Sequence, residues 1–206
     1  MSLFAALLLA AATGAGPLVV APPDLSPSDE PWLAEAVAYE LPRALTELGV
    51  PVLERYDLRR VQERLGLPAV RLSRATAIRV AEAVGASRLA TTSIERMGPD
   101  VEVKVRLVDL PRASRSAPLV ARGPLANLPA LLAGLAFDTA LSGPTPPARS
   151  REVLVALRGV VPFEAWKAHA EALAVPDLPG RVRALRRALQ LAPAYDEARL
   201  DLARLQ

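Results

Sequence analysis

The chain contains no cysteine at all. Within this sequence, that absence excludes disulfide bonds, a thiol nucleophile, cysteine ligands for a metal ion and a lipid carried by cysteine. It leaves the redox environment in which the protein works undetermined.

Histidine is almost as scarce, since His169 is the only one in the chain. A zinc site needs three or four converging ligands, so a single histidine in a helical segment predicts a structural role. Phosphate-binding glycine loops and a nucleophile elbow are also missing from the sequence. The carboxylates of Asp29 and Asp57 stand at helix starts, where capping explains them. We therefore predict no catalytic residue, no cofactor, no metal and no enzymatic activity.

Aromatic residues make up only 4% of the chain, and their scarcity decides how its basic residues are interpreted. The sequence pI is about 9.8 although the formal net charge is only +3, because the basic side chains are almost all arginine. Surfaces that bind nucleic acid interleave basic residues with aromatic ones. The basic clusters at residues 59–64 and 183–187 lack such aromatics, so we interpret them as solvated helix faces and predict no nucleic-acid partner.

The amino terminus has an apolar run at residues 3–12, followed by small residues. This pattern predicts a secretory signal over residues 1–15, with cleavage near residues 12–15 and a periplasmic protein. The segment carries no lysine or arginine, so a retained apolar helix or a misassigned start, and with it a cytoplasmic protein, is the alternative. The run is too short to span a bilayer, and no other segment predicts a stable transmembrane span.

The next part of the chain alternates between strand-like and helix-like segments. The predicted order is strand, helix, strand, two helices and a hairpin, then a further strand and a closing helix. Such an order predicts an α/β fold in which helices cover one face of a mixed sheet. The segments, in that order, are residues 18–21, 32–48, 50–53, 57–66, 73–85, 88–110, 117–123 and 125–141.

The hairpin is the clearest local signal in the sequence. Valine and leucine alternate with Glu102, Lys104 and Arg106 after a Gly-Pro-Asp turn at residues 98–100, which is the pattern of a half-buried antiparallel strand. The charged face has two interpretations. It is a solvated face with cross-strand pairs to Glu95 and Arg96, or it is a docking surface that sets the orientation of a partner protein.

A proline-rich break separates two regions of different character. We predict a signal-like segment at residues 1–15, an α/β domain at 17–141, a linker at 142–150 and a helical region at 151–206. The hydrophobic content of 51% suffices for one good core or for two small domains.

Residues 17–141 resemble the amino-terminal α/β domain of TolB and its relatives among FlgO-like and curli-secretion-like envelope proteins. The resemblance lies in the order of the elements, in the Ala-x-x-x-Gly-Ala phrase at residues 81–86, and in the Leu-Val-Asp that ends the hairpin at residues 107–109. It departs where a Thr-Gly commonly follows, since this chain continues Leu-Pro-Arg. The resemblance implies an exposed face that serves protein interaction.

The helical region resembles a tetratricopeptide repeat (TPR). Trp166, Ala170 and Leu173 match its first helix, and Leu185, Ala188 and Pro193 match its second helix and stop. The resemblance implies a groove lined by the first helix, with Trp166, Lys167, Ala170 and Glu171 as partner-binding residues. Trp166 is equally interpretable as a core residue.

Together these observations predict a non-enzymatic periplasmic scaffold or accessory subunit that binds other envelope proteins. The alternative is a cytoplasmic or membrane-attached sensory or regulatory module from a longer TPR-containing protein. The candidate partner-binding residues are Glu102, Lys104 and Arg106 on the hairpin and Trp166, Lys167, Ala170 and Glu171 on the first repeat helix.

Overall fold

The structure is a computed structural model that describes residues 16–25, 30–67 and 72–205. The predicted signal-like segment at residues 1–15 lies outside the described residues.

The described residues form a sheet surrounded by helices. The strands are β1 (Leu18–Val20), β2 (Asp24–Leu25), β3 (Arg88–Met97), β4 (Asp100–Asp109), β5 (Ser114–Arg115) and β6 (Leu119–Pro124). The helices are α1 (Pro31–Glu47), α2 (Arg55–Arg64), α3 (Arg74–Ala83), α4 (Leu128–Leu141), α5 (Arg151–Arg158), α6 (Phe163–Ala174), α7 (Leu178–Leu191) and α8 (Asp196–Arg204).

The sheet is mixed and is built around the β3–β4 hairpin. All ten residues of β3 pair with β4 in antiparallel register, while β1 and β2 pair with β3 in parallel. The hairpin loop is Gly98–Pro99. Gly98 has a φ of +65°, which a two-residue type II′ loop requires at its first position, and the fixed φ of Pro99 suits the second.

The predicted fold class is confirmed, because helices α1 and α4 cover one face of this mixed sheet. The side chains of β4 that point to these helices belong to the main hydrophobic cluster, together with residues of α1 and α4. Those β4 side chains are Val101, Val103, Val105 and Leu107. The valine alternation read from the sequence is therefore the core-facing side of the strand.

A smaller second cluster lies on the opposite face, at the β1 end of the sheet. Val19 of β1, Leu89 of β3 and Val108 of β4 pack there with residues of α2 and α3. The rest of that face, over the middle of the hairpin, carries the charged residues.

The predicted strand at residues 50–53 is reduced to a single parallel bridge between Leu18 and Val52. Pro51 has no N–H to give to a ladder, which limits pairing at this point. Its carbonyl still accepts a 2.8 Å hydrogen bond from the Leu18 amide.

The helical region packs on α1. Helix α6 lies against α1, and its residues Ala165, Ala168 and Ala172 join the same hydrophobic cluster as the residues of α1 and β4. Alanines allow two helix backbones to approach closely, and these three span about two turns of α6. The domain boundaries drawn at residues 142–150 stay a prediction.

Candidate functional site

The charged face of the hairpin is open to solvent, over the part of the sheet that no helix covers. Arg106 is exposed, and Glu102 and Lys104 are partly exposed. Their side chains alternate with buried valines along β4, so they point away from α1 and α4.

Cross-strand pairing on this face differs from the pairing expected from the sequence. Lys104 lies opposite Ser93 and Arg106 opposite Thr91, while Glu95 lies opposite Glu102. Two like charges directly opposite each other do not stabilise a sheet. Among the described residues no ion pair joins Glu95 or Arg96 to this face, and Glu95 acts on it only through its charge, which contributes to the raised pKa of Lys104.

Arg96 instead belongs to the other face of the sheet. It lies opposite Val101, and its guanidinium contacts the Glu30 carboxylate at 2.8 Å. The reason is the period of two along a strand, which sends neighbouring residues Glu95 and Arg96 to opposite faces. Glu95 and Arg96 could not both have served the charged face.

The charged face has one ion pair of its own, within β4. The Lys104 ammonium lies 2.5 Å from the Glu102 carboxylate. The hydrogen bond with Glu102 and then its charge raise the pKa of Lys104. Arg106, two residues further along, has no ion pair or side-chain hydrogen bond within the described residues.

The four candidates on α6 divide into two buried and two surface residues. Trp166 and Ala170 are 5% and 3% exposed, and both belong to the hydrophobic cluster that α6 shares with α1. Lys167 and Glu171 are partly exposed, with 3.8 Å between the ammonium and the carboxylate. Lys167 also lies over the ring of Trp32, at 5.2 Å from its centroid. Of the predicted groove lining, only Lys167 and Glu171 reach solvent in this structure.

Trp166 sits at the joint between the helical region and α1. Its ring meets that of Trp32 edge-on, and its indole N–H donates to Glu40 at 3.4 Å. Edge-to-face geometry is favoured between aromatic rings, and a buried indole N–H needs an acceptor. Trp166 finds its aromatic partner and its hydrogen-bond acceptor inside the protein. This agrees with its interpretation as a core residue, which the sequence left open.

His169 is held in a buried hydrogen-bond network. Its Nδ1 lies 2.9 Å from the Tyr195 hydroxyl and its Nε2 lies 2.9 Å from Asp201, which also accepts a 2.8 Å bond from the Tyr56 hydroxyl. Burial raises the pKa of Asp201, but the hydrogen bonds from His169 and Tyr56 outweigh it, so the net pKa is lowered. The imidazole is 2% exposed and links α6 to α2 and α8.

Two buried ionic groups on α1 were not foreseen from the sequence. The Glu35 carboxylate accepts hydrogen bonds from Arg55 at 2.8 and 3.1 Å and from Arg59 at 2.9 Å. The Glu40 carboxylate forms an ion pair with Arg158 of α5. A signal for them was present, since most of the residues of α1 are apolar and Glu35 lies among them, as expected of a helix buried on more than one side. Charged residues on such a helix must find partners in the interior.

The described ranges contain no group of three histidine, cysteine, aspartate or glutamate side chains that could hold a metal ion. Within the same ranges, none of the helices is long and apolar enough to cross a membrane.

Comparison with known proteins gives likenesses of fold only. No family model matches the chain, and no curated protein matches it. The LpoB C-terminal domain from Salmonella enterica is similar over 58% of this chain and 94% of its own, at 17% identity and a TM-score of 0.43. Lipoprotein GNA1162 from Neisseria meningitidis is similar over 62% of this chain and 99% of its own, at 17% identity and a TM-score of 0.45. Likenesses of this degree say nothing about what this chain binds.

Proposed function

We propose that this chain is a non-enzymatic protein of the bacterial envelope that acts as a scaffold or accessory subunit by binding other proteins. The observation that carries the proposal is the uncovered charged face of the hairpin, with Glu102, Lys104 and Arg106 in a row. Helices shield the other face of β4, and the core of the protein forms there without using these three side chains.

The charged face has the properties of a surface that orients a partner. It is rigid, because it rests on a hairpin of two ten-residue strands whose opposite side is packed against α1 and α4. Fixed charges on a rigid support steer encounter and set register, and they do so more than they add affinity. Lys167 and Glu171 on α6 form a second, smaller candidate surface.

Export is proposed on the apolar segment at residues 3–12 and the small residues after it. Sequencing the amino terminus of the protein purified from cells tests this part. A terminus near residues 12–15, together with recovery from the periplasmic fraction, is the expected result. An intact Met1 on protein recovered from the cytoplasm would overturn export and favour the sensory or regulatory module instead.

Site-specific photocrosslinking in living cells tests the docking surface. A photoreactive residue at position 104 is expected to give a discrete adduct with one partner protein. The matched control is position 183, an exposed arginine on α7 far along the chain from the hairpin. Identical adducts from both positions, or none from position 104 in cells that contain the protein, would contradict the proposed surface.

A further inference from the structure

A shallow trough runs along the uncovered side of the sheet, beside the charged face. It consists of two neighbouring cavities of about 160 and 220 Å³ that share Thr91, Thr92 and Arg106. Arg74 at the start of α3 and Arg115 of β5 line the first cavity, and Lys104 lines the second. We call this feature, lined by Arg74, Arg106, Arg115 and Lys104, the arginine trough.

The charge of the arginine trough is unbalanced. Neither cavity is lined by an aspartate or glutamate among the described residues. Arg74, Arg106 and Arg115 are exposed and form no ion pair or side-chain hydrogen bond within the described part of the chain. By contrast, Arg96 of β3 pairs with Glu30, and Arg112, in the turn after β4, pairs with Asp109. Three arginines that line one cavity without an acid create a local positive potential that favours an anionic ligand.

The spacing of the cations follows the strand. Lys104 and Arg106 are two residues apart on the same side of β4, which places their α-carbons about 7 Å apart. Arg115 lies opposite Val108, two residues beyond Arg106, and so extends the same side of the sheet. An extended peptide has the same two-residue repeat, so its alternate side chains meet successive cations.

We propose that the arginine trough binds an extended acidic peptide segment with carboxylates at alternate positions. This inference rests on the proposed function, since it names the chemistry of the partner at that face. Arginine holds carboxylates through paired N–H donors, which makes such contacts strong and directional. The ligand supplies the acids that Arg74, Arg106 and Arg115 lack among the described residues.

Other anionic partners fit less well. Single-stranded nucleic acid is held by stacking on aromatic rings, and the trough is lined by no aromatic residue among those described. A lipid surface is flat, whereas the cations here line a concave strip between α3, β4 and β5. A peptide strand matches both the shape of the trough and its repeat.

Binding of synthetic peptides to the purified full chain tests the inference. The probe is a fluorescent ten-residue peptide with glutamate at alternate positions separated by serine or threonine. A second peptide has the same composition with its glutamates consecutive. Fluorescence anisotropy is expected to show saturable binding of the first peptide that weakens as salt rises, with weaker binding of the second. Equal binding of the two peptides would overturn the strand-like spacing.

Charge reversal locates the binding. Arg106→Glu with Arg115→Glu is expected to weaken the alternating peptide by roughly tenfold or more, because two charge-assisted contacts become repulsive. The matched control is Arg183→Glu with Arg186→Glu on α7, which changes the net charge equally at two exposed arginines without ion pairs in the described residues. Equal loss in both variants would overturn the site and leave only a general charge effect.

Two further probes separate the alternative partners. The probes are a single-stranded oligonucleotide and vesicles of anionic phospholipid. If either binds more tightly than the peptide, and the double variant of Arg106 and Arg115 loses that binding, that ligand replaces the peptide as the proposed partner. Arg122→Glu separates this inference from the proposed function, because Arg122 lies opposite Glu102 on the charged face but lines neither cavity. Loss of the cellular adduct in Arg122→Glu, without peptide binding by the parent chain, would contradict the trough alone. Peptide binding by the purified chain without any cellular adduct would contradict the proposed function and leave the trough supported.

Discussion

The ring of Trp166 on α6 meets the ring of Trp32 on α1 edge-on, with 6.4 Å between centroids and 84° between planes. This pair packs the helical region against α1, the helix that also covers the sheet. Both indoles are almost fully buried, at 5% and 4% exposure. The two parts of the chain therefore depend on one shared interior surface.

Replacement of Trp166 should destabilise the whole protein. Trp166→Ala removes a large buried ring and leaves Glu40 without its indole donor, which is expected to cost about 3–5 kcal/mol. Thermal melting followed by circular dichroism should show one transition shifted to lower temperature. Leu200→Ala is the control, since Leu200 is 59% exposed. A second transition confined to helical signal would contradict a shared core.

Removal of the carboxylate of Glu35 should be strongly destabilising. Glu35→Gln removes the buried negative charge that both Arg55 and Arg59 contact, and such a loss is expected to cost about 3–5 kcal/mol. Urea denaturation measures it. The matched control is Glu63→Gln, at an exposed glutamate on α2, with an expected change of less than about 0.5 kcal/mol. A small effect at Glu35 would mean that the arginines find water or other acceptors.

Acid should weaken the His169 network through Asp201. The pKa of Asp201 is lower in the folded protein than its ordinary value of about 3.9. Its contribution to stability is therefore complete above that value and is lost as pH falls through the lower folded pKa. Asp201→Asn is expected to be less stable at neutral pH and to lose less stability than the parent on acidification below about pH 4. Parallel pH profiles for the two proteins would contradict this linkage.

Limited proteolysis should cut first between Ser142 and Arg151. Residues in this proline-rich stretch are mostly exposed, and few of their backbone groups are bonded elsewhere. The two fragments are expected to stay together on gel filtration, because α6 and α1 share one hydrophobic cluster. Separation of the fragments without denaturant would contradict this, as would a first cut inside α6 or α7.

The β3–β4 hairpin is the part of the fold that its own sequence predicts best. Its strand alternation, its turn glycine and its charged face are properties of residues close together in the chain. The ion-pair partners of its charged residues are not predictable in this way. Glu102 pairs with Lys104 on its own strand, while Arg96 reaches Glu30, which lies 66 positions earlier. Local spacing cannot choose between such acceptors.

The sequence of α6 does not predict which of its residues are buried. Trp166 in its repeat-like pattern is compatible with a groove or with a core, because a helix alone does not say which of its faces will be covered. Tertiary packing decided that Trp166 and Ala170 are interior.

The sequence by itself determined most of the element order, apart from the strand predicted at residues 50–53, and the solvent-facing row of Glu102, Lys104 and Arg106, because each follows from a period of two or of 3.6 over a short stretch. Only the tertiary structure decided that Glu35, Glu40 and His169 are buried with partners, and that Arg74, Arg106 and Arg115 line one cavity without an acid among the described residues. The physical reason is that burial and charge balance depend on groups far apart in the chain, and these meet only when α1 is enclosed between the sheet and α6.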